Sequence, residues 1–404
     1  MRSPSNYLIL SSVIRYISQF SLTFIFAHLF GVDAVGEYAL ALAVVSPFYV
    51  LAGWGLRNLV LTFSKDVSLR TYEFVRNLLT TVAFILVAAA AAFFVREHFL
   101  VVVLVAIMKV PDAYADFASG YLQRAAEYSR IAVIAVANAA MTVVPAFVIG
   151  FYSRDLVVTL LVTAAVLITT TAIMIPWALR LAVSAEARSV PVDGTDIRLV
   201  LRAGFPLAFA AAASMLLQTV PQYTLAVSDG AAEVGLFAVV MYLTFFSEIV
   251  LNGHAQAWIP TARRLRAEGR EQLTVGAAVR AGRATALVVA LISGAAIVGA
   301  YFLYPVFLGP FFSIQPGFVL PLLVIACCQP SLFFISTALS VHNNYGRQLT
   351  GSAIALAVAI LSGLILIPQL ATTGALWAYA IGVLVRTGIS AWQLRASSRV
   401  SARP

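Results

Sequence analysis

Seven ionisable side chains stand inside long apolar runs of this 404-residue chain: Arg15, Arg57, Lys109, Asp112, Asp116, Glu248 and Arg386. At the centre of a bilayer each such charge costs roughly 2.5–3.5 kcal/mol. Left alone, the set would cost on the order of 20 kcal/mol, more than the stability of an ordinary domain, so these groups must be paired, solvated or both. Their spacing is helical. Arg15 and Gln19 are four residues apart, and Lys109, Asp112 and Asp116 follow an i, i+3, i+7 pattern, so each set shares one helix face. Glu248 and Asn252 repeat the i, i+4 relation with His254 nearby, as do Gln218 and Gln222. A polar face on a buried helix implies a wet interior able to hold a charged cargo or ion. The plainer reading is that Lys109 and Asp112 neutralise each other as a packing pair and that Arg57 snorkels to the nearby surface.

The elements that must carry these residues are membrane spans. The chain is 61% hydrophobic and 11% charged, against roughly 45–50% and about a quarter in soluble domains. A spanning helix needs about 20 apolar residues. Apolar runs at 7–29, 37–61, 77–95, 99–121, 131–150 and 156–179 give six spans, and runs at 204–226, 235–260, 284–305, 318–341, 350–368 and 373–393 give six more. In hydrocarbon, runs of this length satisfy their backbone only as helices. Pro47, Pro111, Pro145, Pro206, Pro221, Pro321 and Pro330 lie in or beside spans and favour kinks.

Orientation follows from the distribution of Lys and Arg. Twenty of the 26 fall in alternate connections and at the termini, two (Arg96 and Arg154) fall in the other set, and four lie inside spans. The expectation is an all-α integral membrane protein of about twelve transmembrane helices with both termini cytoplasmic. The expected divisions are an N-lobe over 1–180, a cytoplasmic interfacial linker over 181–203, a C-lobe over 204–394 and a basic cytoplasmic tail over 395–404. The first apolar run continues beyond the length of a signal-peptide core and carries Arg15, so it is expected to remain in the mature protein. Segments 180–203 and 261–283 mix basic residues with spaced apolar ones, a pattern that suits interfacial helices or solvated topology anchors.

Val35-Gly36-Glu37-Tyr38-Ala39 and Val234-Gly235-Leu236-Phe237-Ala238 share Val-Gly-x-aromatic-Ala 199 residues apart, each between the first two spans of a six-span set. Equivalent placement points to duplication, with the two sets as parallel repeats that would enclose a central cavity. The net charge of +9 does not signal nucleic acid, because the basic residues are scattered rather than gathered on one soluble patch. Adjacent Cys327 and Cys328 match neither a zinc spacing nor a disulfide framework. No phosphate-binding Gly-rich loop with Lys is present. No soluble catalytic constellation is evident, and if the protein moves a cargo, the energy comes from a gradient or from the cargo's own imbalance.

Arg15-Tyr16-Ile17-Ser18-Gln19-Phe20, Phe30-Gly31, Val35-Gly36-Glu37-Tyr38-Ala39, Ser46-Pro47-Phe48 and Leu201-Arg202-Ala203-Gly204-Phe205-Pro206-Leu207 resemble the polysaccharide flippase branch of the multidrug/oligosaccharidyl-lipid/polysaccharide exporter (MOP) superfamily. The resemblance implies a MATE-like, V-shaped pair of six-helix bundles in the bacterial cytoplasmic (inner) membrane. The implied cargo is an undecaprenyl-pyrophosphate-linked oligosaccharide for O-antigen, capsule or exopolysaccharide, with a polysaccharide polymerase and a chain-length regulator as partners. A pyrophosphate suits bidentate Arg and point-charge Lys. Arg15, Gln19, Arg57, Lys109 and Arg386 are accordingly expected to line a cationic cavity. Asp112, Asp116 and Glu248 are expected to couple H+ or Na+, with no other cofactor. A cation/drug antiporter of the same superfamily, a lipid II flippase and a non-transporting scaffold remain open as alternatives.

Overall fold

In the computed structural model, residues 4–62, 67–182, 191–244, 268, 271–341 and 345–400 are described. Among them the helices are α1 (Pro4–Phe30), α2 (Val32–Gly53), α3 (Leu56–Thr62), α4 (Leu69–Phe94), α5 (Phe99–Arg124), α6 (Tyr128–Ser153), α7 (Leu156–Ala182) and α8 (Gly194–Ser228). They continue with α9 (Ala231–Thr244), α10 (Glu271–Phe307), α11 (Pro316–Val341) and α12 (Tyr345–Val400). Ten helical stretches among the described residues are long and apolar enough to cross a membrane. One of them, at 51 residues, would run to about 75 Å if straight, far beyond a hydrocarbon core of about 30 Å. It is interrupted at Ala371 (φ 46°, ψ −126°) and so supplies two crossings. α9 coincides with the described beginning of the eighth expected span; residues 245–260, with Glu248, Asn252 and His254, lie outside the described residues. The chain is a multi-pass α-helical membrane protein.

The repeat seen in the sequence has a backbone counterpart. Gly31 (φ 88°) precedes α2 and Gly230 (φ 86°) precedes α9, at the same 199-residue offset. Both glycines take the left-handed region that a side chain disfavours, which lets one helix turn directly into the next. Val35 and Val234 are both fully buried behind them, as are the aromatic rings of Tyr38 and Phe237.

The described chain forms two compact units, Met1–Met215 and Leu216–Pro404. In the first, α1 packs on α6, α5 on α7, α6 on α7, and α2 on α4 and α5. Leu56, Val75, Phe117, Leu122, Ile175 and Val200 share its core. In the second, α10 packs on α11 and α11 on α12, around Val289, Phe334, Ala338 and Leu394. Residues 194–203, assigned from sequence to the linker, are helical and continuous with the seventh span, and residues 271–283 likewise extend α10. The two compact units meet within α8, between Met215 and Leu216. Cys327 is exposed and Cys328 half-buried, both as free thiols on α11.

The span beginning at 77 in the sequence reading starts eight residues earlier, at Leu69. Ser68 caps the helix by accepting the Thr71 N–H at 3.1 Å, which satisfies an otherwise orphan amide. Leu69, Tyr72, Val75 and Arg76 then form its buried face. Arg76, counted by sequence among the loop cations, is thus a core residue only 3% exposed. Removing it from the loop tally leaves the charge asymmetry in the same direction.

Candidate functional site

The second span breaks and restarts. Trp54 ends α2 in the left-handed region (φ 48°), Gly55 follows at φ 62°, and α3 begins at Leu56. Trp54 is held by α2 and α8 at once: its N–H reaches the Leu51 carbonyl at 3.0 Å, its indole Nε1 donates to the Leu201 carbonyl at 2.8 Å, and its ring meets Phe205 and Phe209 edge-on at 6.2 Å. A Cβ on Gly204 would collide with both the Trp54 ring and its carbonyl oxygen. Gly204 is therefore the seat that lets the tryptophan dock on α8. The Leu201–Leu207 motif noted in the sequence is in this unit a packing device.

That docking aims α3 at α5. Gly120 lets α3 approach closely, since a Cβ there would sit 3.3 Å from the Arg57 Cα. The Arg57 guanidinium consequently pairs with Asp116 Oδ1 at 3.1 Å and donates to Gln123 Oε1 at 3.2 Å. Asp116, Gly120 and Gln123 are spaced i, i+4, i+7, one face of α5. Further along the same helix Lys109 Nζ meets Asp112 Oδ2 at 3.1 Å. Two of the four expected cavity cations are thus matched by the two described acids expected to couple ions. Both pairs are partly solvated, with Asp112 and Asp116 side chains each 45% exposed.

Arg76 lies behind this face. One of its Nη atoms donates to the Ala52 carbonyl at 3.2 Å, near the end of α2, and its guanidinium lies 6.0 Å from the centre of the Tyr114 ring. A cation at a helix C-terminus meets unpaired carbonyls and the negative end of the helix dipole. The Tyr114 hydroxyl in turn donates to Asn77 Oδ1. The sequence reading missed Arg76 because it lies ahead of the apolar run; the helical period of Leu69, Tyr72 and Val75 is the signal that would have included it.

Arg15 stands near the middle of α1, exposed, and makes no hydrogen bond or ion pair among the described residues. It lines a pocket of about 50 Å³ between α1, α5 and α6, together with Ser11, Ser18, Asp112 and Asn138. That volume admits a few waters at most, so the seam is polar but cannot itself enclose a pyrophosphate. Gln19 is half-buried one turn beyond Arg15. In the second unit Arg386 is half-buried near the middle of the last crossing and makes no hydrogen bond or ion pair among the described residues. Two turns earlier on the same face, the buried Tyr379 hydroxyl accepts from Gln218 Nε2 at 3.2 Å.

No protein-family model matches the chain, and no curated protein sequence does. Solved structures do match. The MATE multidrug transporter DinF-BH is similar with a TM-score of 0.69 at 14% identity, over 100% of this chain and 96% of that one. A Vibrio cholerae MATE transporter is similar at a TM-score of 0.64 and 14% identity, over 99% and 96%. This chain has the MATE transporter fold. A MOP superfamily transporter from Pyrococcus furiosus, described as having a binding pocket of reverse polarity that suggests a different function, is also similar (TM-score 0.66, 12% identity, 100% and 98% covered). On this MATE fold the charges lie on α1, α3, α5 and the last crossing of α12. The Trp54 seat and the close approach at Gly120 are the local features that position the Arg57–Asp116 pair.

Proposed function

We propose that the chain is a flippase carrying undecaprenyl-pyrophosphate-linked oligosaccharide across the bacterial cytoplasmic membrane for surface polysaccharide synthesis. The observation that carries this reading is that each unit holds one arginine in the middle of a span, Arg15 and Arg386, with no acid partner among the described residues. Such a cation is costly in a membrane and is offset when the cargo supplies the anion. A pyrophosphate does so with several acceptor oxygens that match the guanidinium fork. The reading is supported by a similar structure whose binding pocket is described as of reverse polarity, which indicates that pocket charge varies on this fold.

On this reading each unit offers the head group one cation, Arg15 with Gln19 beside it in the first and Arg386 in the second, while Arg57 and Lys109 are held by Asp116 and Asp112. Protonation of Asp112 or Asp116 would release Lys109 or Arg57, which gives a route for coupling to a proton gradient; Na+ competing for the same carboxylates would act alike. Glu248 belongs to this proposed ion-coupling set by its sequence position. A polysaccharide polymerase and a chain-length regulator would act on the delivered units.

Replacing Arg15 or Arg386 with Ala should abolish surface polysaccharide while membrane levels of the protein stay normal. Arg154→Ala, in a loop, should leave polymer unchanged. Normal polymer in both Arg15→Ala and Arg386→Ala would overturn the assignment. Export of cationic drugs is the second reading, favoured by the acid partners of Arg57 and Lys109 and by the multidrug description of the DinF-BH structure. A deletion strain that gains drug sensitivity but keeps its polymer would select it.

A further inference from the structure

A second cleft lies away from the polar face of α5 discussed above. It has a volume of about 560 Å³ and is formed by α4, α5 and α7 within the first unit. That size is in the range of small-molecule sites. Its walls are apolar, with Val110, Pro111 and Phe117 from α5 and Ile168, Ile175 and Leu179 from α7. Its mouth carries Arg70, near the start of α4, and Arg180, near the end of α7. Both arginines are exposed and form no ion pair or hydrogen bond among the described residues. Glu73 lies one turn along α4 from Arg70 and is the acid in the cleft, so the charged lining is net positive by one.

The surroundings identify the solvent that this cleft faces. Phe74 (47% exposed) and Leu78 (44%) on α4 flank it, as do Ile173 (67%) and Trp177 (47%) on α7, and Ile168 in its own wall is 43% exposed. Apolar side chains this exposed on a spanning helix face acyl chains. An apolar cleft open to lipid beneath two interfacial arginines matches one class of molecule: a chain that fills the cleft, attached to a head group that is anionic. The positive-inside distribution places this end of α4 and α7 at the cytoplasmic leaflet, where anionic lipid is available.

We propose that this cleft is a binding site for an anionic two-chain phospholipid of the phosphatidylglycerol type, separate from the cargo path. The phosphate sits between Arg70 and Arg180, one acyl chain enters between α4 and α7, and the head-group hydroxyls donate to Glu73. Bound lipid would fill the gap between α4, α5 and α7, against the edge of the core, and brace the helix that carries Lys109, Asp112 and Asp116.

The test uses full-length protein purified in mild detergent and exchanged into nanodiscs, with retained lipid counted by native mass spectrometry. One phosphatidylglycerol per chain should be retained in preference to phosphatidylethanolamine and phosphatidylcholine. Each arginine near an anionic head group is worth about fivefold in affinity, so Arg70→Gln and Arg180→Gln should each cut retention about fivefold and the double variant should abolish the preference. Ala172→Trp, at an exposed cleft position, should block the acyl chain while the protein elutes as a single folded species. Arg154→Gln should retain lipid as the natural chain does. Equal retention of all three lipids, or retention unaffected by both the arginine and Ala172→Trp changes, would overturn the proposal. Recovery of a polyprenyl phosphate as the sole retained lipid would also overturn it, and would make the cleft part of the cargo path instead.

Discussion

Arg57 and Asp116 can be separated into structural and cargo-binding roles by a charge-conserving double change. At 3.1 Å the bare attraction at an effective dielectric of 20 is about 5 kcal/mol. The side chains are 28% and 45% exposed, so solvent screening reduces the net value to about 1 kcal/mol. The Gln123 bond to the guanidinium adds about 1.5 kcal/mol, the low end for a charged hydrogen bond. Arg57→Gln should therefore lower stability by about 2.5 kcal/mol and Asp116→Asn by about 1 kcal/mol. The double variant should be no worse than Arg57→Gln alone, a coupling of about 1 kcal/mol in a double-mutant cycle. Thermal unfolding followed by size-exclusion fluorescence supplies the stability, and surface polysaccharide on complemented deletion cells supplies the function. If the pair is a staple between α3 and α5, the double variant regains polymer at a level set by its stability. A cycle with no coupling would refute the assignment of Arg57 to the scaffold, and a stable double variant without polymer would give the pair a transport role, through Arg57 in cargo binding or Asp116 in the proposed ion coupling.

Two further outcomes follow from backbone geometry. Gly204→Ala should destabilise by about 2–4 kcal/mol, from overpacking plus the displaced Trp54 indole bond, and a fall in apparent unfolding temperature with partial rescue by Trp54→Phe would check it. Ala371→Gly should stabilise by about 1 kcal/mol, because it relieves a left-handed non-glycine residue whose strain exceeds the entropic cost of glycine; an unchanged or lower unfolding temperature would contradict this.

The spans were legible because hydrophobicity over twenty residues is dictated by the bilayer and needs no tertiary information. The paired turns were legible for a related reason: Gly31 and Gly230 must adopt positive φ, and their neighbours must be buried, so the same residue types recur. Lys109 and Asp112 were readable as a pair from i, i+3 spacing alone. Arg57–Asp116 was not, since it depends on Trp54 seating in the notch at Gly204 and on the missing Cβ at Gly120, contacts between residues far apart in the chain. Arg76 escaped because a positive charge ahead of an apolar run reads as a loop, whereas the end of α2 offers it carbonyls inside the unit. The cleft under Arg70 and Arg180 was illegible because it is a gap between helices, and sequence records what fills space rather than what leaves it open.

The first stretch of α8 belongs to one compact unit and its last turns to the other, with Trp54 clasping the first stretch at Leu201. The midpoint of the sequence repeat is thus out of step with the seam between the folded bodies. A polypeptide severed in the linker would leave its C-terminal piece carrying the docking strip for its N-terminal piece. Two such fragments made separately would have a ready-made clasp, as the two parts of a split reporter do, and the helix that joins the halves would serve as the means of their reunion.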